Sequence, residues 1–140
     1  MLPDPDHPDN LLIYFAAQSG KEDYRILLAE ILVEKISDLT AYKMLRDYDH
    51  AVLQRLHAKA NYPYGQYHQE KKIYELWYSG QSIGNKDKRS CFLSTSKNKY
   101  RFEPSLEAII KPSDDSSRND YAYSTGPKIY GNDLYSDLRT

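Results

Sequence analysis

The residues that most often carry catalysis are few and scattered in this chain. His50 and His57 stand seven positions apart. On a helix they would share one face about 10 Å apart, too far for a common metal ion without further ligands. Asp47, Asp49 and His50 form the densest acid and base group, but adjacent helical residues point apart and no nucleophile accompanies them. We therefore predict no catalytic residue, no metal site and no cofactor.

Two further patterns resemble a phosphate-binding loop and a nucleic-acid-binding segment, but each has a simpler interpretation. Gly80 and Gly84 lack the lysine and following helix of a phosphate-binding loop, so a simple connector is favoured. The segment 86–102 interleaves basic and aromatic residues, as proteins that stack single-stranded nucleic acid do. A solvated hairpin face is preferred for this basic segment, whose members are Lys86, Lys88, Arg89, Lys97, Lys99 and Arg101 with Phe92, Tyr100 and Phe102.

Composition indicates one ordinary globular domain with an unusual tyrosine content. The chain has 140 residues and a formal net charge of −1, so nothing favours general electrostatic binding of nucleic acid. The single cysteine, Cys91, cannot form an internal disulfide and reads as a small core residue. Fourteen tyrosines stand against three phenylalanines, which favours half-buried contacts with another chain.

Apolar residues at helical spacing predict a mainly α fold. Ile73, Leu76 and Trp77 share one face of a helix over 71–80 that stops at Gly80, with Trp77 pointing inward and Tyr78 facing elsewhere. The other predicted helices span 10–18, 24–35 and 39–60, the last ending at Lys59 or Ala60, and a short one spans 105–110.

Turns and the chain ends complete the expected organisation. Residues 61–65 predict a turn, and 90–95 with 99–102 predict a short β-hairpin. Residues 1–8 form an N-terminal arm, 9–112 a helical domain of four to five helices, and 113–140 an extended, tyrosine-rich C-terminal arm.

Several short segments, in order, resemble one family. Leu12 to Ile36 is similar to its opening pair of helices around a Ser-Gly-Lys turn, and Leu76 to Gly80 resembles its Ala-Trp-Tyr-x-Gly helix end. Phe102 to Leu106 and Gly126 to Gly131 resemble its two later motifs. The family is the small subunit of membrane-bound FAD-dependent sugar dehydrogenases, namely the fructose, sorbitol and glucose dehydrogenases, related to the gluconate dehydrogenase small subunits.

The resemblance implies a non-catalytic accessory subunit that stabilises, and escorts, a large FAD-dependent dehydrogenase subunit, with a membrane cytochrome subunit in the same complex. It implies a periplasmic location after export with the partner, and otherwise a cytoplasmic one, without nucleic acid and without direct membrane insertion. The alternative is a stand-alone binding or regulatory protein, for instance a nucleic-acid binder through 86–102. The predicted partner-binding residues are Trp77, Tyr78, Tyr121, Tyr123, Pro127 and Tyr130.

Overall fold

Antiparallel β-sheets make up the fold in a computed structural model that describes residues 1–19, 23–53, 58–81, 89–105, 109, 127–130 and 133–136. The first sheet has the order β1-β2-β3-β4, and the second has the order β5-β6-β7. Strands β8 and β9 pair as a separate ribbon. The strands are β1 Leu2–Pro3, β2 Asn10–Ser19, β3 Asp23–Leu32, β4 Lys43–Arg46, β5 Ala58–His68, β6 Ile73–Gln81, β7 Arg89–Ser96, β8 Pro127–Tyr130 and β9 Asp133–Ser136.

The prediction of a mainly α, helical domain is wrong. Within the described ranges, helical structure is limited to three 3-10 turns, Val33–Lys35, Leu39–Ala41 and Tyr48–His50. The segments predicted as the first and fourth helices lie largely in β2 and β6, and the second covers β3 and the turn Val33–Lys35. The third spans the other two turns, β4 and the start of β5.

Strand β3 shows why the helical pattern misled. Ile26 and Leu28 point into the shared core, while Leu27, Ala29 and Ile31 are buried on the opposite face. A strand that is apolar on both faces loses the alternation that marks a half-exposed strand, so its apolar residues also fit helical spacing. Strand β3 is held extended because ten consecutive residues pair with residues of β2. Helical spacing in the sequence carries no information about this pairing.

Strand β6 corrects the predictions around the tryptophan. Tyr74, Leu76 and Tyr78 lie in the core and Trp77 lies on the other face, so the helical face shared by Leu76 and Trp77 does not exist. The predicted strand 90–95 lies in β7, but β7 pairs with β6 rather than with 99–102. Phe102 instead forms a parallel bridge to Leu53. The short helix predicted at 105–110 falls mostly outside the described residues.

The turn predicted at 61–65 lies inside β5. Its pairing with β6 is irregular on both sides of Asn61, and Tyr62 has a positive φ of 51°. The chain reverses after His68 instead, where Lys72, with a φ of 52°, precedes β6. Pro63 and the left-handed backbone conformation of Tyr62 therefore mark an irregularity within the long strand β5.

Both sheets contribute to one core. The ring of Tyr14 packs edge-on against Phe102, with centroids 5.8 Å apart, and its hydroxyl donates to the carbonyl oxygen of Lys99 at 2.7 Å. The core consists of Leu2, Leu12, Ile26, Leu28, Val52, Leu53, Ala60, Tyr74, Leu76, Tyr78, Phe92 and Phe102.

A buried ion pair ties the N-terminal segment to this core. The Nζ of Lys99 lies 2.8 Å from Oδ2 of Asp4, whose side chain is fully buried. Burial alone would lower the pKa of Lys99, but its hydrogen bond to Asp4 and the charge of Asp4 outweigh burial and raise that pKa. Residues 1–8, predicted as an arm, thus supply strand β1 and one member of this pair.

Candidate functional site: a cationic pocket

A pocket of about 300 Å³ opens beside the first residues of β3. Its floor is apolar, formed by the core residues Ile26, Leu53 and Ala60. Its polar lining comes from β3, from the end of β4 and the segment that follows it, and from the chain beyond β7. We call this cavity the arginine pocket, and its polar residues are Tyr24, Arg25, Arg46, Asp49, His50 and Arg101.

Backbone carbonyls position two of the three guanidinium groups. Arg25 donates from Nη1 to the carbonyl oxygen of Tyr48 at 2.8 Å, and its Cζ lies 4.2 Å from the centroid of the Tyr48 ring. Arg46 donates from Nε to the carbonyl oxygen of Tyr100 at 3.1 Å. A guanidinium held at Nε keeps its two terminal nitrogens available for a planar ligand group.

The 3-10 turn Tyr48–His50 presents Asp49 and His50 at the pocket. Asp47 caps this turn, because its Oδ1 accepts from the backbone N–H of His50 at 2.9 Å. The same oxygen lies 2.8 Å from Nδ1 of His50. These hydrogen bonds from His50 lower the pKa of Asp47, so the cap is ionised at neutral pH. The turn therefore brings the side chains of Asp47 and His50 together, as their i, i+3 spacing would also do on a helix.

The arginine pocket is electrostatically unlike the chain as a whole. Three guanidinium groups and the carboxylate of Asp49 give it a formal charge of +2 with His50 neutral, whereas the whole chain carries −1. Arg25 and Arg46 are half-buried, and Arg101 is exposed at the mouth. Cations that converge on a concave, partly desolvated site attract anions more strongly than the same charges spread over a surface.

The predicted partner-binding residues are not gathered into one site among the described residues. Trp77 is 2% exposed, and its Nε1 has no hydrogen-bond partner in the part of the chain that the structure describes. Tyr78 is fully buried on the opposite face, stacked on Phe92, and its hydroxyl accepts from the N–H of Ser105 at 3.3 Å. Burial raises the pKa of Tyr78.

The four C-terminal residues of that prediction lie partly outside the described residues. Tyr121 and Tyr123 lie outside the described residues, and Pro127 and Tyr130 begin and end β8. Their role in partner binding stays a prediction.

The basic segment 86–102 is divided by the fold. Lys86 and Lys88 lie outside the described residues, and Lys99 is paired with Asp4 in the interior. Phe92 and Phe102 are fully buried, so neither ring is available for stacking on a base. Arg101 is the member that reaches the arginine pocket.

Sequence reasoning missed Tyr24, Arg25 and Arg46 as site residues. Arg25 lies in the segment 24–35, for which the apolar spacing predicts a helix. The three arginines of the pocket stand 21 and 55 positions apart in the sequence, so no local motif links them. An isolated arginine in a strand carries no spacing signal, and pairing between distant segments brings the three together.

Fold and site together define a small antiparallel β protein with a cationic pocket. Comparisons with family models, with curated proteins and with solved structures find no match. The described ranges contain no group of three or more histidine, cysteine or acidic residues placed to hold a metal ion. In the same ranges no helix is both long and apolar enough to cross a bilayer.

Proposed function

We propose that this chain is a non-catalytic binding protein that takes the anionic group of a small ligand into the arginine pocket. The observation that carries the proposal is the convergence of Arg25, Arg46 and Arg101 on one cavity of about 300 Å³. A volume of this size is at the lower end of small-molecule pockets. Guanidinium groups bind phosphate and carboxylate oxygens in pairs of parallel hydrogen bonds.

Arg46 is the residue best placed to bind the anion. Its Nε is already bonded to the carbonyl oxygen of Tyr100, which fixes the plane of the group. It is half-buried, so a hydrogen bond from its terminal nitrogens is less screened than one from the exposed Arg101. Each charge-assisted hydrogen bond contributes about 1.5–3 kcal/mol, which corresponds to roughly tenfold or more in affinity.

Titration with inorganic phosphate at low ionic strength, followed by backbone amide NMR shifts, tests the proposal. We expect shifts concentrated at Tyr24 to Ile26, at Arg46 to His50 and at Arg101. Arg46→Gln should weaken binding roughly tenfold. Lys43→Gln is the matched control, because Lys43 lies on the same strand, is largely exposed and does not line the pocket. Shifts scattered over the surface, or equal losses in both variants, would reject the proposal.

Association with a large FAD-dependent dehydrogenase subunit stays a prediction, as do the periplasmic location and the membrane cytochrome partner. The segments that carry the resemblance at Leu12 to Ile36 and at Leu76 to Gly80 lie largely in strands β2, β3 and β6. The helix ends on which those motifs depend are therefore not present, and the arginine pocket supports the binding function instead.

A further inference from the structure

We infer that the ligand of the arginine pocket is a nucleoside 5′-monophosphate, an inference that rests on the proposed anion-binding function. The pocket combines three chemically different groups: guanidinium groups, the carboxylate of Asp49 and the ring of Tyr24. A plain anion such as phosphate needs only the first of these. A nucleotide carries a phosphate, ribose hydroxyls and a base, which are complementary to these three groups in turn.

The carboxylate of Asp49 is the first observation that favours a nucleotide. Asp49 is solvent-exposed at the edge of a pocket with three arginines, and its side chain makes no ion pair or hydrogen bond within the described residues. A carboxylate here repels a simple anion, so it weakens a site built for phosphate alone. It accepts hydrogen bonds from hydroxyl groups, and the adjacent 2′ and 3′ hydroxyls of ribose are the usual partners of such an acid in nucleotide sites.

The ring of Tyr24 is the second observation. Tyr24 is half-buried in the pocket wall, and in the described part of the chain its ring has no aromatic or cationic partner and its hydroxyl no hydrogen bond. A buried tyrosine ring normally packs on another ring or finds a partner for its hydroxyl. A half-buried ring that lines a cationic cavity is a surface on which a nucleobase can stack.

The volume of the cavity limits the ligand to one nucleotide. About 300 Å³ accommodates one nucleotide, and a dinucleotide would need a considerably larger cavity. In the inferred arrangement Arg46 and Arg101 hold the phosphate, Asp49 accepts from the ribose hydroxyls, and Tyr24 stacks on the base. We expect a free mononucleotide to be the ligand, because the cavity has room for one nucleotide.

Calorimetric titrations of the full chain with four compounds test the inference. The compounds are inorganic phosphate, ribose 5-phosphate, AMP and 2′,3′-dideoxy AMP. We expect AMP to bind at least fivefold more tightly than ribose 5-phosphate because of stacking on Tyr24. AMP should also bind about tenfold more tightly than its dideoxy analogue because of Asp49.

Two variants assign these differences to residues. In Asp49→Asn the affinity for AMP should exceed that for the dideoxy compound by about twofold or less. In Tyr24→Leu the affinity for AMP should exceed that for ribose 5-phosphate by about twofold or less. Comparing ligands within one variant removes any general effect on folding. Lys43→Gln should leave both ratios unchanged.

The outcomes separate this inference from the proposed function. If phosphate binds through Arg46 but AMP binds no more tightly than phosphate, the nucleotide inference is wrong and the anion site stands. If neither compound binds, both are wrong. A ten-residue oligoadenylate that binds more than tenfold more tightly than AMP would also overturn the inference, because the ligand would then be a nucleic-acid strand.

Discussion

Replacing Lys99 by methionine tests the energetic weight of the buried ion pair. The ammonium group of Lys99 is 2.8 Å from Asp4, and the two side chains are 8% and 0% exposed. Removing one partner of a buried pair costs about 3–5 kcal/mol, because the remaining charge stays buried without its partner. Asp4 keeps one hydrogen bond from the N–H of Asp6 at 3.0 Å, so we expect about 3 kcal/mol.

Urea unfolding followed by fluorescence measures this loss, since Trp77 is the chain's one tryptophan and is buried in the folded state. Thermal unfolding of the same variant should show a Tm lower by roughly 10 °C. Lys43→Met is the control, because Lys43 is 75% exposed and lies 3.8 Å from Glu30. Such an exposed pair contributes about 0–1 kcal/mol.

A double variant separates the pair from its individual members. Asp4→Leu combined with Lys99→Met leaves no unpaired buried charge, since Asp6, which lies 3.7 Å from Lys99, is exposed, so the double variant should be more stable than either single variant. The reasoning is refuted if Lys99→Met loses less than about 1 kcal/mol, or if the two single losses simply add.

Two further perturbations test the tyrosines around this pair. Burial and then neighbouring groups raise the pKa of Tyr14 and Tyr74. Unfolded tyrosines ionise near pH 10, so above that pH the folded chain binds more protons and the free energy of unfolding falls, by up to about 1.4 kcal/mol per pH unit for each. Urea unfolding from pH 9 to 11 measures this fall, and a flat profile contradicts it. Gly65→Ala should lose about 1–3 kcal/mol in urea unfolding, because its Cβ would lie 2.5 Å from Cδ2 of Tyr14, whose hydroxyl is fixed on Lys99. An unchanged urea midpoint would show that the ring moves aside freely.

Local chemistry in the sequence determined several features. The strand predicted at 90–95 lies in β7, because a short apolar run, Cys91 to Leu93, between polar residues is a local signal. Trp77 is buried, as its size and apolar neighbours predict. The tyrosine content favours half-buried contacts with another chain, which stays a prediction, whereas Tyr14 and Tyr67 pack against the chain's own core.

Tertiary structure decided the choice between helix and strand. Leucine, alanine and glutamate dominate Leu27 to Leu32, and these residues favour a helix in isolation. Pairing with β2 on one side and β4 on the other, together with burial of both faces, outweighs a local preference of a few tenths of a kcal/mol per residue.

The arginine pocket also depends on long-range pairing. Arg25 reaches it from β3, Arg46 from the end of β4, and Arg101 from the chain beyond β7. The hydrogen bonds from Val52 to Ile26 and from Phe102 to Val52 bring these segments side by side. The sequence supplies the three guanidinium groups. Their convergence follows from these two backbone hydrogen bonds, which join residues separated by 26 and by 50 positions in the chain. No local pattern of side chains specifies such pairing.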